Sequence, residues 1–435
     1  MTWKHRDGDT WDSGALKRRV QGEWQSVGAP RSTSPDFDGD GTGFDEEAGF
    51  ADKQWFYDAC ADGDIEVVKV TNLDDSGTGS YEWAVNYSSD PTLVVFEVAG
   101  VIDYGSSSSW SRPRTDNTYV AGQTAPSPGI TIIRSGLSAE ADNAVHEHYK
   151  VRPGNDVGSP SAVEAIDLQD PQENVIINHM SLTWATDNVT SHKEEVEVTW
   201  ANNIIAEGLY ESDHGESPGH NYGMNTDPDD EIAGFGNYMM SMRRRNPRIH
   251  IGCDFLWVNN YSYNSARALG SRSRDPEELS TVVAIGNDYE FGDKYEGDPY
   301  VHRVAIIYPP EDEFADFNDA TPFPDEISHE DSVFLDESPF MVDFEPLPPE
   351  EVKDFVLPMV GARPADRDPI DERMVSWAYE GGGHPWIGVD SPEYEYPDYD
   401  EVYRPLDVPS DTSEIPQWLQ NYTAEVELGT DNQLH

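Results

Sequence analysis

From about Ile65 to Tyr308 the chain is a succession of short apolar runs, many rich in Val, Ile and aromatic residues and bounded by Gly, Asn, Asp and Pro. Clusters such as TLVVFEVAGVI and VIINHMSL read as strands and not as helices, because β-branched and aromatic side chains suit a pleated surface. A unit recurs within the region. An apolar run followed by a polar step with Asn stands at VIINH (175–179), VTWANNII (198–205), FGNYM (235–239), FLWVNNY (255–261) and VVAIGND (282–288). Between Asn178, Asn203, Asn237, Asn260 and Asn287 the steps are 25, 34, 23 and 27 residues. Periods near 20–30 with one strand–turn unit each predict coils stacked on their neighbours, a parallel β-helix. An Asn in each turn can bond the next rung and satisfy backbone groups that a buried bend would orphan. An antiparallel sandwich would require tight Asn-Gly hairpins, and this region lacks them.

The pattern changes on either side of the strand region. Residues 1–35 read as an N-terminal docking tag, with Trp3, Trp11 and Trp24 around the basic run Lys17-Arg18-Arg19. Residues 36–64 read as an acidic, Gly-rich linker, 65–308 as the β-helix, and 309–350 as an acidic, Pro-rich connection. Residues 351–435 carry a few more apolar runs and read as a C-terminal segment packing on the β-helix. The expected class is all-β, a parallel β-helix with an N-terminal extension.

Charge narrows the function. Of 435 residues, 84 are acidic and 28 basic, so the formal net charge is 28 − 84 = −56. Such a surface does not hold nucleic acid, which needs clustered Lys and Arg, and it is repelled by an anionic membrane. No apolar run approaches the ~20 residues of a spanning helix, and MTWKHRDGDTW shows no apolar leader core. Twelve Trp, 21 Tyr and 15 Phe supply a core that a disordered acidic chain would lack. Two cysteines, Cys60 and Cys253, cannot make a disulfide framework. Self-repulsion of this size opposes compaction in dilute buffer, whereas at molar salt the Debye length falls to roughly 3 Å. The composition therefore predicts a salt-adapted protein.

Several segments then occur in one order: VTNLDDSGTGSYEWAV (70–85), TLVVFEVAGVID (92–103), TYVAGQTAPSPGITI (118–132), VRPGND (151–156), NVIINHMSLTWATDN (174–188), VEVTWANNIIAEGL (196–209), RRRNPRI (243–249), WVNNYSYN (257–264) and VGARPADRDPIDERMV (360–375). Together they resemble the polysaccharide lyase family typified by pectate lyases, over roughly residues 65–420. The resemblance implies a right-handed parallel β-helix and β-elimination on polyuronate with calcium as cofactor. Bound to the uronate carboxylate, calcium would stabilise the charge that develops when the C5 proton leaves.

Carried over by motif, the resemblance makes Arg245, in Arg245-Asn246-Pro247-Arg248, the catalytic base, and Arg248 a contact for a substrate carboxylate. Arg244 and His250 are expected beside them as substrate-binding groups, and with Arg243 they form a basic island where a polyanion can dock. Glu164, Asp167 and Asp187 match the calcium ligands, since a hard cation takes oxygen donors. The chain departs from the family at Asn178 and Asn188, amides in place of acids, and at Ser241-Met242, in place of His-Asn. These departures predict weakened metal binding and turnover. His179 and His220 read as hydrogen-bonded structural residues.

A second calcium motif lies outside the resemblance. Asp36, Asp38 and Asp40, with Gly41 at the turn and Glu47 twelfth, satisfy D-x-D-x-D-G-x5-E. Two readings of function stay open at this stage. One is a virion or surface spike that recognises acidic host glycan with weak or lost cleavage, oligomeric and docked to a structural protein through the N-terminal tag. The other is a secreted, salt-adapted lyase cleaving polyuronate.

Overall fold

The computed structural model describes residues 43–430, apart from 89, 108–109, 160–161, 268, 272–279, 292–304, 309–317, 322–332, 335–337, 342–343, 345 and 385. It also describes the strand pair Lys17–Val20 and Glu23–Ser26 and short strands within 305–334. Its body is a parallel β-helix, as the repeat predicts. Each coil contributes one strand to each of three sheets, which hold 11, 10 and 7 strands among the described residues. Within a sheet, consecutive coils pair in parallel, for example Thr118–Ala121, Ala144–Glu147 and Gln172–Asn178 in the first. One strand breaks the rule: Val402–Tyr403 pairs antiparallel with Val98–Asp103 at an end of the second sheet.

Side chains at one register position form a file through the interior. In the first sheet Val94, Val120, His146, Ile177, Trp200, Gly234, Trp257 and Ala284 follow one another. Gly234 is forced by its neighbour, since a Cβ there would stand 2.0 Å from the Trp257 ring. The adjacent file, Leu93, Tyr119, Val145, Ile176, Thr199, Ala233, Leu256 and Val283, faces outward and is also covered. That second burial explains why these runs are apolar at consecutive positions and do not alternate.

The cover is helical. Helix α1 (Gln54–Asp62) is followed by the single turn α2 (Tyr81–Ala84), then α3 (Pro349–Met359), α4 (Pro369–Glu380) and α5 (Ile415–Leu428). Phe56 and Cys60 of α1 and Trp418, Leu419 and Tyr422 of α5 pack on Leu93, Tyr119 and Val145. Phe44, Phe50, α3 and α4 cover Ala233, Leu256 and Val283. Residues 43–62 are thus part of the covering layer. Cys60 and Cys253 are buried free thiols.

The Asn turns form a ladder. Asn203, Asn237 and Asn260 each donate Nδ2 to the Oδ1 of the next, and Asn260 to Asn287, at 2.8–3.1 Å. Each ladder oxygen also accepts a backbone N–H from the preceding rung. The step before Asn203 is Met180, whose N–H reaches Asn203 Oδ1 at 2.8 Å. Asn178 therefore lies outside this ladder, two residues out of register with it.

Candidate functional site

The third sheet carries the polar wall. Ile166 and Leu168 point into the core, so Asp167 between them points out. In register with it run Ser138, Ser191, Asn225 and Arg248. The turns that enter these strands stack along the same edge. They carry Glu164 before Ile166–Gln169, Asp187 before Asn188–Lys193, His220 before Tyr222–Asn225, and Arg243–Arg245 before Arg248–Ile249. Residues 57 apart in sequence thereby meet, with Arg245 donating Nη1 to Asn188 Oδ1.

Arg245 is held from three directions. Its guanidinium carbon lies 4.3 Å from the centre of the Tyr222 ring. Its carbonyl accepts the Met224 N–H at 2.7 Å and the Arg244 carbonyl accepts that of Gly223 at 2.9 Å, which pins the turn to the next strand. Its φ of +64° is left-handed, costing about 1 kcal/mol or more in a residue with a Cβ. Arg243 donates to Gly219 O at 3.1 Å, while Arg248 and His250 are hydrogen-bonded to each other.

The acids divide into two groups. Glu164 and Asp167 are buried, and the Lys193 ammonium stands 3.5 and 3.7 Å from them. Burial followed by the charge of Glu164 pushes Asp167 up to about 8. Burial also raises Glu164, assisted by Asp187 against the opposing charge of Lys193. Burial alone would lower Lys193, but Glu164, Asp167 and Asp187 outweigh it and hold the ammonium above its usual range. Asp167 Oδ1 is buried without a hydrogen-bond partner. Two crowded carboxyls sharing one ammonium, with one oxygen that makes no hydrogen bond, are a donor set that fits a hard cation.

Asp187 turns the other way. His220 Nε2 stands 2.7 Å from Asp187 Oδ1, its Nδ1 lies 3.1 Å from Glu216, and the His214 ring stacks on it at 3.9 Å. Burial favours the neutral acid at Asp187, but the hydrogen bond and charge of His220 and the charge of Arg245 hold its carboxyl below the usual range. The donors that close to within 4.8 Å around Asp187 are those of His214 and His220. Lys193, His214 and Tyr222 carry no motif signal. A single lysine among eight, on an otherwise acidic strand edge, was the available hint for Lys193.

Asn178 and Asn188, the two amides of the motif, lie apart. Asn188 faces Arg245, whereas Asn178 ends a strand of the first sheet, where Asn202 donates to its Oδ1 at 3.0 Å. Its Nδ2 points to Glu147 at 3.4 Å. The strand run 172–178 and the turn at 187 lie on different sheets, which a linear motif does not reveal. For the second motif, Glu47 accepts the Lys53 N–H at 2.7 Å and the Tyr57 hydroxyl at 3.3 Å. Asp36, Asp38 and Asp40 lie outside the described residues.

No family model matches the chain. Its sequence is pectate lyase-like. It is 34% identical over 229 residues to a protein of Aspergillus flavus named probable pectate lyase C, covering 52% of this chain and 50% of the relative. It is 33% identical over 228 residues to the protein of that name in Aspergillus oryzae, again covering 52% and 50%. The chain thus spans about half the length of the curated relatives it matches. Among solved structures, a Bacillus pectate lyase in complex with trigalacturonate aligns at 15% identity and a TM-score of 0.43, over 69% of this chain and 94% of that one. The major allergen of cedar pollen aligns at 12% and 0.47, over 68% and 88%.

Proposed function

We propose that this protein is a salt-adapted extracellular lyase that cleaves galacturonan or a related acidic polysaccharide by calcium-assisted β-elimination. The observation that carries the reading is the run of charged groups along one edge of the third sheet, with Arg245 beside Asp187 and Asp187 beside the Glu164–Asp167 pair. The similarity in sequence to pectate lyases supports it. Among the described residues no helix is long and apolar enough to cross a membrane.

In this reading the Glu164–Asp167 pair holds calcium, and Asp187, turned toward His220, adds negative charge beside it. Bound there, the ion would neutralise a uronate carboxylate and stabilise the negative charge that develops beside it. Arg244 and Arg248 engage neighbouring substrate carboxylates, where the fork of a guanidinium matches a carboxylate in two places. Arg245, fixed by Asn188 and Tyr222, gives a proton to water and, as the neutral guanidine, takes the C5 proton. The C5–H and C4–O bonds break, a C4=C5 double bond forms, and the departing sugar oxygen is protonated from water. Lys193 neutralises the two buried acids from a half-exposed position, and a bound cation would take over that role.

The test is the ultraviolet absorbance of unsaturated product from polygalacturonate with calcium in concentrated NaCl. Turnover that vanishes in Arg245→Ala supports the reading. A folded wild-type protein that neither cleaves nor binds the polymer overturns it. Binding without cleavage points to the second reading, an oligomeric glycan-recognising spike on a virion or cell surface docked through the N-terminal segment. Asn188 favours that alternative, because an amide and not an acid meets Arg245.

A further inference from the structure

A second group of donors converges away from the third sheet. His148 and His179 occupy equivalent turns of successive coils, both at left-handed φ (+60° and +46°), and their rings stack at 4.8 Å. Each Nδ1 meets a main-chain carbonyl, Ala362 O at 3.0 Å and Gly361 O at 3.2 Å. A carbonyl only accepts, so each Nδ1 carries the hydrogen and each Nε2 is left as the lone-pair nitrogen. Both Nε2 atoms face one oxygen, Glu427 Oε1 of helix α5, at 3.2 and 3.3 Å. All three side chains are buried, and neither Nε2 makes a hydrogen bond.

Two lone-pair nitrogens within 3.3 Å of one carboxylate oxygen repel it unless something positive lies between them. Their spacing identifies what fits. With ligand bonds of about 2.0–2.1 Å, neighbouring donors of a tetrahedral zinc site stand about 3.3–3.4 Å apart, close to the Nε2–Oε1 separations here. The carbonyl bonds at Nδ1 are the outer contacts that fix ring orientation at metal-bound histidines. Glu147 and Glu46 add negative field at His148, while Arg363 opposes it.

We infer that His148, His179 and Glu427 form a structural site for a borderline transition-metal ion of the Zn²⁺ type, which clamps the C-terminal helix onto the coils. The site takes nitrogen ligands, so it is distinct from the oxygen-rich acids of the third sheet, and it stands whether or not the chain cleaves polyuronate. The ligands come from positions 148, 179 and 427, and binding free energy is therefore folding free energy for the association of α5.

The experiment uses the full chain, stripped with chelator and dialysed against Zn²⁺ or Co²⁺. Elemental analysis should find about one tightly held equivalent per chain at this site, Co²⁺ should give the visible bands of a tetrahedral nitrogen–oxygen site, and the melting temperature should rise with Zn²⁺. All three signals should survive Asp187→Asn, which breaks the other His-containing cluster, and disappear in Glu427→Gln. That substitution is nearly isosteric, and circular dichroism verifies that it folds. A wild-type chain that retains no metal, with an unchanged melting temperature, overturns the inference in favour of a shared proton. So does metal that persists in Glu427→Gln but is lost in Asp187→Asn.

Discussion

Asn188 accepts a hydrogen bond from the Arg245 guanidinium, and Asp187, its neighbour in sequence, feels the same charge. An amide at this point orients Arg245 without neutralising it. Asn188→Asp adds a carboxylate beside the guanidinium and near the acids proposed to bind calcium. One further charge at this range moves an equilibrium by about tenfold or more. Calcium affinity, followed by calorimetry, should therefore tighten about tenfold, while turnover falls because the guanidinium becomes locked in an ion pair. Unchanged affinity would show that Asn188 does not border the ion.

On the proposed calcium assignment, the state of Asp167 makes binding dependent on pH. Burial and Glu164 push it up to about 8, and the ion binds the ionised form. Calcium affinity should climb from pH 6 to a plateau above about 8, and Asp167→Asn should flatten the profile and weaken binding. The sign for stability is the reverse. A carboxyl raised in the folded state contributes stability below its unfolded value near 4, and that contribution is lost as pH rises toward 8. In the absence of calcium, Asp167→Asn should therefore raise the melting temperature at pH 9 relative to wild type.

Arg152 pairs with two buried carboxylates at once. It donates to Asp368 at 2.8 and 3.2 Å and to Asp371 at 2.7 Å, tying the start of α4 to the second sheet, and Ser181 donates to Asp371 at 2.6 Å. Removing one partner leaves buried charge uncompensated. Arg152→Ala should cost about 3–5 kcal/mol in denaturant titrations at pH 7. Burial opposes ionisation at Asp368, but Arg152 and Lys150 hold it well below the usual range. A depressed carboxylate contributes stability above about pH 4, lost as the pH falls further. The gap between wild type and Arg152→Ala should narrow in acid, and a constant gap would contradict this account.

Much of the fold was legible because coil stacking imposes a period. Asn203, Asn237, Asn260 and Asn287 recur in sequence for the same reason that they bond in space. Asn178 matched the run but not the register, and only coordinates separate two residues of drift. The arginine cluster was visible as four cations within 243–248. Lys193, His214 and Tyr222 were not, because their roles come from lateral contact between coils with no fixed spacing along the chain. The helical cover was missed at 54–62 for another reason. Its place after the acidic, Gly-rich run reads as a linker, yet Phe56 and Cys60 bury an apolar face against Tyr119 and Leu93.

The ladder itself offers a direct measurement. Asn237 Nδ2 donates to Asn260 Oδ1 and to Trp200 O, and its Oδ1 accepts both the Nδ2 and the N–H of Asn203. Asn237→Ala orphans buried groups on two neighbouring rungs, each costing about 1–3 kcal/mol. Destabilisation by several kcal/mol is expected, larger than for Asn143→Ala in the outer stack of Asn117, Asn143 and Asn174, where fewer groups depend on one side chain. Equal losses at the two positions would mean that the ladder contributes packing alone.

Salt should act on this protein through its surface. Buried acids such as Glu207, Asp230 and Asp368 already have Arg or His partners, so the unbalanced part of the −56 charge is largely exposed. Raising NaCl from about 0.1 M to 1 M shortens the Debye length from about 10 Å to about 3 Å, and the melting temperature should rise throughout that range. An equal osmolarity of sucrose should give a smaller rise. The same screening removes long-range attraction between the arginine cluster and a polyanion, so affinity at high salt must come from short contacts at Arg244, Arg245 and Arg248. Polyuronate binding should therefore survive in 2 M NaCl and be lost in Arg248→Ala at that salt. A melting temperature that stays flat or falls with NaCl would remove the case for salt adaptation.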